Sequence, residues 1–248
     1  GGKKVVERVV GAWRNAVRAQ ESEKLFLERF GARGQRREVG TVKAAEQIQL
    51  SEAEFLARYD AGKYPRPSVT ADVAAFLHED GKPRVLLVRR GGHPFIGTWA
   101  LPGGFVEPEE TVETAARREL WEETGIENVP VRQIGTYSDP HRDPRTRVIT
   151  VAFYSCLDGL SAQPKAGDDA AEAGFFEIVC TPRAESGEDF LDFTLDGCGQ
   201  TLHFSVRVVP APGGFEGDIA YEPVGERVLA SDHESLLARA FAEDRKKG

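Results

Sequence analysis

The apolar positions of this chain change period several times along its length, and each change marks an element. From residue 4 to 30 they recur at helical spacing. Val5, Val6, Val9, Val10, Trp13 and Val17 form one stripe, which pauses at Gln20–Lys24, resumes over Leu25–Phe30 and stops at Gly31. A helix is expected there, then a polar connector over 32–47. Ser51 and Glu54 have the spacing of a capping box, which predicts a second helix through Phe55 and Leu56. The prolines at 65 and 67 then block helix and enforce extended backbone. Strand-like runs over 69–77 and 84–89, on either side of Asp80-Gly81, predict a hairpin.

The Gly- and Pro-rich stretch 91–109 reads as a loop with little regular structure, and 111–124 as a helix closed by Gly125. Strands are expected at 131–137, 147–156 and 174–179, with a polar loop over 158–172. Alternation at Leu202, Phe204, Val206 and Val208 predicts an inserted β-hairpin region within 181–229. A last helix, Ser231–Glu243, carries Leu236, Leu237, Ala240 and Phe241. Strands and helices mixed in this order point to an α/β layered architecture and not to a bundle.

Composition narrows the function. The chain has 32 basic and 40 acidic side chains in 248 residues, a formal charge of −8. No apolar run approaches the roughly 18–20 residues of a membrane span, so a soluble chain is expected. The acidic balance argues against non-specific nucleic-acid binding, but not against a phosphate-bearing substrate gripped through a metal. Cys156, Cys180 and Cys198 are widely spaced with no C-x-x-C pair, so neither a structural zinc site nor a disulfide framework is expected. A cytoplasmic location and no signal peptide are the corresponding expectations.

One helix breaks its own amphipathic pattern. With Val112 at the centre of the apolar face of 111–124, Ala115, Ala116 and Leu120 fall nearby. So do Glu119 and Glu123, with Glu122 at the edge. Unpaired buried carboxylates cost several kcal/mol each, and three converging acids repel one another unless a cation joins them. Oxygen ligands with no neighbouring His or Cys favour Mg²⁺, with Mn²⁺ as a substitute.

The residues around that helix read G-x5-E-x7-R-E-U-x-E-E-x-G-U, where U is a bulky aliphatic. The fixed positions are Gly104, Glu110, Arg118, Glu119, Leu120, Glu122, Glu123, Gly125 and Ile126. This pattern resembles the Nudix box of the Nudix hydrolases, over roughly residues 62–180 and, more weakly, 230–234. The resemblance implies an α/β/α sandwich with a mixed sheet; the N-terminal helix and the β-rich insertion expected from the residue pattern lie outside it. The expected division is 1–50 for the N-terminal helix and arm, 51–180 for the core and 181–229 for the insertion. Residues 230–248 then supply the core's closing helix and a basic tail.

The same resemblance implies metal ligands at Glu119, Glu122, Glu123 and the Gly103 carbonyl, with Glu110 and Arg118 as a supporting ion pair. It also implies a general base from a loop after the box, for which Asp168, Asp169 and Glu172 are candidates. Tyr64-Pro-Arg-Pro-Ser-Val before the box and Arg-Asp-Pro-Arg after it are similar to the ADP-ribose branch of the family. Arg89, Arg142 and Arg145 are then candidates for phosphate or ribose, and Phe95 and Tyr64 for stacking on adenine. The expected activity is metal-dependent hydrolysis of ADP-ribose or a related nucleoside diphosphate sugar to AMP and ribose 5-phosphate, with no nucleic-acid or membrane partner. The resemblance also admits a homodimer. Two alternatives are an ADP-ribose-sensing regulator without activity and a pyrophosphatase of oxidised nucleoside triphosphates. The proline that many ADP-ribose members carry about sixteen residues past the box is not matched cleanly, since Pro140 and Pro144 flank that position.

Overall fold

The computed structural model describes residues 50–159, 164–167, 170–215 and 217–246. The helix expected over 4–30 and its connector lie outside them, as do Asp168 and Asp169. The chain divides into two compact units, residues 1–63 and 64–248. In the first, helix α1 (Glu52–Arg58) begins at the expected capping box. The Ser51 hydroxyl accepts from the Glu54 N–H, and the Glu54 carboxylate accepts from the Ser51 N–H.

The second unit is built on one sheet. Strands β1 (Ser68–Glu79) and β2 (Lys82–Arg90) form the expected hairpin, but they pair only near the turn, from Phe76↔Val85 to Glu79↔Lys82. Beyond that the two strands part, and the segment expected to be loop fills the gap. Its β3 (Trp99–Ala100) pairs with β2, while its β4 (Gly103–Phe105) pairs with β1. Runs of two and three residues are too short to show a period, which is why this segment reads as a loop in sequence. The Gly-rich turn is thereby pinned inside the sheet, at the mouth of the split.

Strands β5 (Arg132–Tyr137) and β6 (Val148–Cys156) lie where expected, and β6 runs parallel to β1. Strand β7 (Ala170–Glu185) is much longer than the run expected at 174–179. It starts inside the anticipated polar loop and continues past residue 180. With β8 (Glu188–Gly197), β9 (Gln200–Pro210) and β10 (Ile219–Val224) it extends the same sheet, giving the order β10-β9-β8-β7-β2-β1-β6-β5.

Helices cover both faces. On one, α2 (Val112–Thr124) buries Ala115, Ala116 and Leu120 against Val73, Leu86 and Phe153. Thr111 caps its start, and Gly125 ends it in the left-handed conformation at φ 72°. On the other face, α3 (His233–Asp244) buries Leu236, Leu237 and Phe241 over Phe76, Tyr154, Phe193 and Phe204. Phe193 stacks on Phe204 at 4.8 Å and meets Phe241 edge-on at 5.6 Å, so β8 and β9 share a core with the closing helix. The result is an α/β/α sandwich with a mixed sheet. No helix among the described residues is long and apolar enough to cross a membrane.

Candidate active site

Three things meet where β1 and β2 part: the Gly103-Gly104 turn, the inner face of α2 and the start of α3. The close approach explains the glycines. A Cβ on Gly103 would run into the Ala71 carbonyl and the Asp72 side chain, and one on Gly104 would sit 2.5 Å from the Glu119 carboxylate. The Gly103 N–H donates to Glu123 Oε2 at 2.9 Å, so the turn holds this carboxylate directly.

Electrostatics sets the acids apart. Burial raises the Glu123 carboxyl to about 8. The Gly103 hydrogen bond opposes this, and the charges of Glu119 and Asp72 add to it. Burial likewise raises Glu119, against the opposing effect of Arg118. Arg118 is the centre of the cluster. Its Nη2 reaches Glu110 at 2.6 Å, and its Nη1 reaches both Glu119 and Glu122 at 2.8 Å. The expected Glu110–Arg118 pair is therefore present, and the same guanidinium also gathers two of the three candidate ligands. Its hydrogen bond holds the Glu110 carboxyl below the usual range.

The donor set fits a hard divalent cation. It is made of carboxylate oxygens, two of them disfavoured as bare charges by burial, with one guanidinium as the local counter-charge. Of the expected ligands, Gly103, Glu119 and Glu123 line one cavity, and Arg118 links Glu122 to Glu119.

A cavity of about 360 Å³ opens beside these acids, and among its lining are Arg90, Phe95, Arg142, Arg145 and His233. Phe95 is half-buried beside Val88, Ala100 and Ala230 with φ 64°, which leaves its ring on the cavity wall. Arg145 also lines the cavity. It pairs with Asp143 at 2.8 Å and lies 5.3 Å from the centre of the Phe105 ring.

The other candidates fall in several different places. Arg142 lines the cavity, but its side chain is only 5% exposed and it makes a forked pair with Asp232, at 2.6 and 3.0 Å. It secures the start of α3, because a buried guanidinium takes the nearest carboxylate. Arg89 lines the cavity too, with its Nε donating to the Gly97 carbonyl at 3.0 Å and its Nη1 3.8 Å from Glu172. Glu172 is not in a loop: it sits on β7 in register with Arg89 and does not line the cavity. Tyr64 is exposed and lines neither that cavity nor its neighbour, because the extended segment at 64–67 precedes β1 on the outside. Asp168 and Asp169 lie outside the described residues, but Gly167 just before them donates to the Glu123 carbonyl at 3.1 Å.

Sequence reasoning missed Asp72, Thr150, His233 and Arg90. Asp72 is buried on β1, accepts from the Thr150 hydroxyl at 2.6 Å and lies 3.7 Å from His233 Nε2. His233 Nδ1 accepts from the Leu101 N–H, and burial pushes the pKa of this ring down. An acid in the apolar run 69–77 is the same anomaly as the glutamates of α2, and it could have been noticed on that ground.

Comparison with known proteins agrees with this geometry. The NUDIX domain family profile matches residues 67–186. An ADP-ribose pyrophosphatase of Methanocaldococcus jannaschii is 46% identical over 120 residues, covering 48% of this chain and 68% of that protein. The ADPR-responsive transcriptional repressor NtrR of Acinetobacter baylyi is 37% identical over 110 residues, 44% of each chain. A MutT/nudix family protein from Enterococcus faecalis superposes with a TM-score of 0.62 at 29% identity, over 84% of this chain and 75% of the other. That likeness is too wide to be confined to the residues the family profile matches. With the complete box in and around α2, in the setting just described, the chain belongs to the Nudix hydrolase family.

Proposed function

We propose that this chain hydrolyses the pyrophosphate bond of ADP-ribose or a related nucleoside diphosphate sugar, releasing AMP and ribose 5-phosphate, with Mg²⁺ as the cation. The observation that carries this reading is the pair of burial-disfavoured carboxylates, Glu119 and Glu123, packed on the Gly103-Gly104 turn at the edge of a cavity with arginines in its wall. Bound at Glu119, Glu122, Glu123 and the Gly103 carbonyl, Mg²⁺ would neutralise pyrophosphate oxygens and make a water more acidic.

The chain's own residues do the rest. Arg118 keeps Glu119 and Glu122 facing each other, and Glu110 keeps Arg118 in place. Arg90 and Arg145 offer guanidinium charge to the phosphates; the charge of Arg90 already bears on Glu123. Phe95 gives an apolar wall for a base or ribose. Asp168 and Asp169 are the candidates to take a proton from the attacking water; Gly167, just before them in sequence, donates to the Glu123 carbonyl. Glu172, occupied with Arg89 on β7, is the weaker candidate.

The test is phosphate release from ADP-ribose with Mg²⁺ and a coupled phosphatase, beside 8-oxo-dGTP and NADH. Turnover of ADP-ribose above the other two supports the proposal, and preference for 8-oxo-dGTP overturns the substrate. Tight ADP-ribose binding with no turnover of any substrate overturns the enzyme reading in favour of a sensor, the role named for the Acinetobacter relative.

A further inference from the structure

A second group of ligand-type side chains lies at the other end of β1. His78, Cys156 and Asp158 offer a ring nitrogen, a sulfur and a carboxylate oxygen that all lie within 4.8 Å of one another. Among the described residues this is the only His/Cys/Asp/Glu group of three so close. The fold brings them together by register. Cys156 ends β6 opposite Phe76 of the parallel strand β1, and His78, two residues on from Phe76, falls on the same face. Asp158 follows Cys156 by two and turns back, its Oδ1 accepting from the His78 N–H at 2.7 Å.

The imidazole is oriented from behind. Its Nε2 lies 3.0 Å from Asp244 Oδ2, and the other oxygen of that carboxylate accepts from the Tyr154 hydroxyl at 2.7 Å. Asp244 is buried at the end of α3. A buried carboxylate behind Nε2 favours a proton there, and Nδ1 faces the Cys156–Asp158 side, 3.0 Å from Asp158 Oδ2. A lone pair against a carboxylate at that distance requires a cation between them, either a proton or a metal ion. A carboxylate behind a ligating histidine is the usual support of a zinc site.

We propose that His78 Nδ1, Cys156 Sγ and Asp158 bind one zinc-class divalent ion, separate from the Mg²⁺ held by the Nudix box. Thiolate and imidazole ligands select zinc over magnesium, and three protein ligands leave the fourth tetrahedral position to water. Ligand atoms around a zinc ion lie roughly 3.3–3.8 Å apart, so Nδ1 and Asp158 Oδ2, 3.0 Å apart here, would separate by a few tenths of an ångström to admit it. Binding releases the Cys156 thiol proton and any Nδ1 proton to solvent, so affinity rises with pH. The ion would tie the ends of β1 and β6 to the end of α3 through His78 and Asp244.

The test uses the full-length protein and Co²⁺ as a probe, since cobalt bound to a thiolate absorbs strongly in the near ultraviolet. Wild type and Glu123→Gln should both show a thiolate-to-cobalt band saturating at one ion per chain. Cys156→Ser and His78→Gln should lose the band while keeping the wild-type circular dichroism. Zinc should raise the Tm of wild type and leave that of Cys156→Ser unmoved. A band that persists in Cys156→Ser, or no band in the wild type at saturating Co²⁺, overturns the proposal and leaves His78 as an imidazolium bridging two carboxylates.

Discussion

Single residues carry the chemistry here because burial makes their charges unstable. Glu123 is held at about 8 by desolvation, so as a bare anion it is disfavoured at neutral pH. Glu123→Gln should therefore keep or raise the Tm of the chelated protein. It should also lower kcat on ADP-ribose by roughly 10²–10³-fold, the few kcal/mol a catalytic cation contributes. A fully active variant would remove Glu123 from the ligand set. Arg145 and Asp143 offer a titration test. The Arg145 hydrogen bond holds the Asp143 carboxyl below its ordinary value. Their pair therefore stabilises the fold above about pH 3.9, the unfolded value, and that contribution is lost as pH falls through the lower folded value. Arg145→Ala should move the Asp143 midpoint upward, as read by carboxyl NMR.

Between elements, the decisive event is the parting of β1 and β2. It opens a gap that β3 and β4 fill, and the Gly103-Gly104 turn comes to lie against α2. The two glycines should then fail differently. Gly103→Ala meets backbone at Ala71 and Asp72, which cannot retreat, so about 1–3 kcal/mol of stability should be lost in urea melts. The three atoms nearest a Cβ at Gly104 all belong to the end of the Glu119 side chain, which can swing away, so Gly104→Ala should fold nearly normally. Its Mg²⁺ affinity should fall by about 10–100-fold in calorimetric titration, because the proposed ligand Glu119 would be displaced. Equal effects at both positions would contradict this packing. In sequence the box was readable because its spacing is local to one turn and one helix. The roles of β3, β4, Asp72 and His233 were not, because each depends on contacts made across the sheet.

Across the whole molecule, one sheet joins the box to the strands that follow it. Phe193 of β8 is buried between Phe204 and Phe241, in the same core as Phe76 of β1. Phe193→Ala should cost about 3–5 kcal/mol and lower the Tm of a single cooperative transition. Two separate transitions, with the hydrolase unaffected by the first, would show β8–β10 to be an independent unit.

What the sequence determined alone was local: the capping box at Ser51, the strand–turn–strand at 68–90, the α2 helix and the nine box positions in and around it. Each is set by neighbours a few residues apart, through backbone geometry or helical period. The tertiary structure decided which polar groups meet over long separations. It committed Arg142 to Asp232, took Glu172 out of the loop and onto β7, carried Tyr64 away from the cavity and brought Asp72 and His233 to the carboxylates. A charged side chain takes whichever partner burial leaves within reach, and that choice exists only once the sheet has formed.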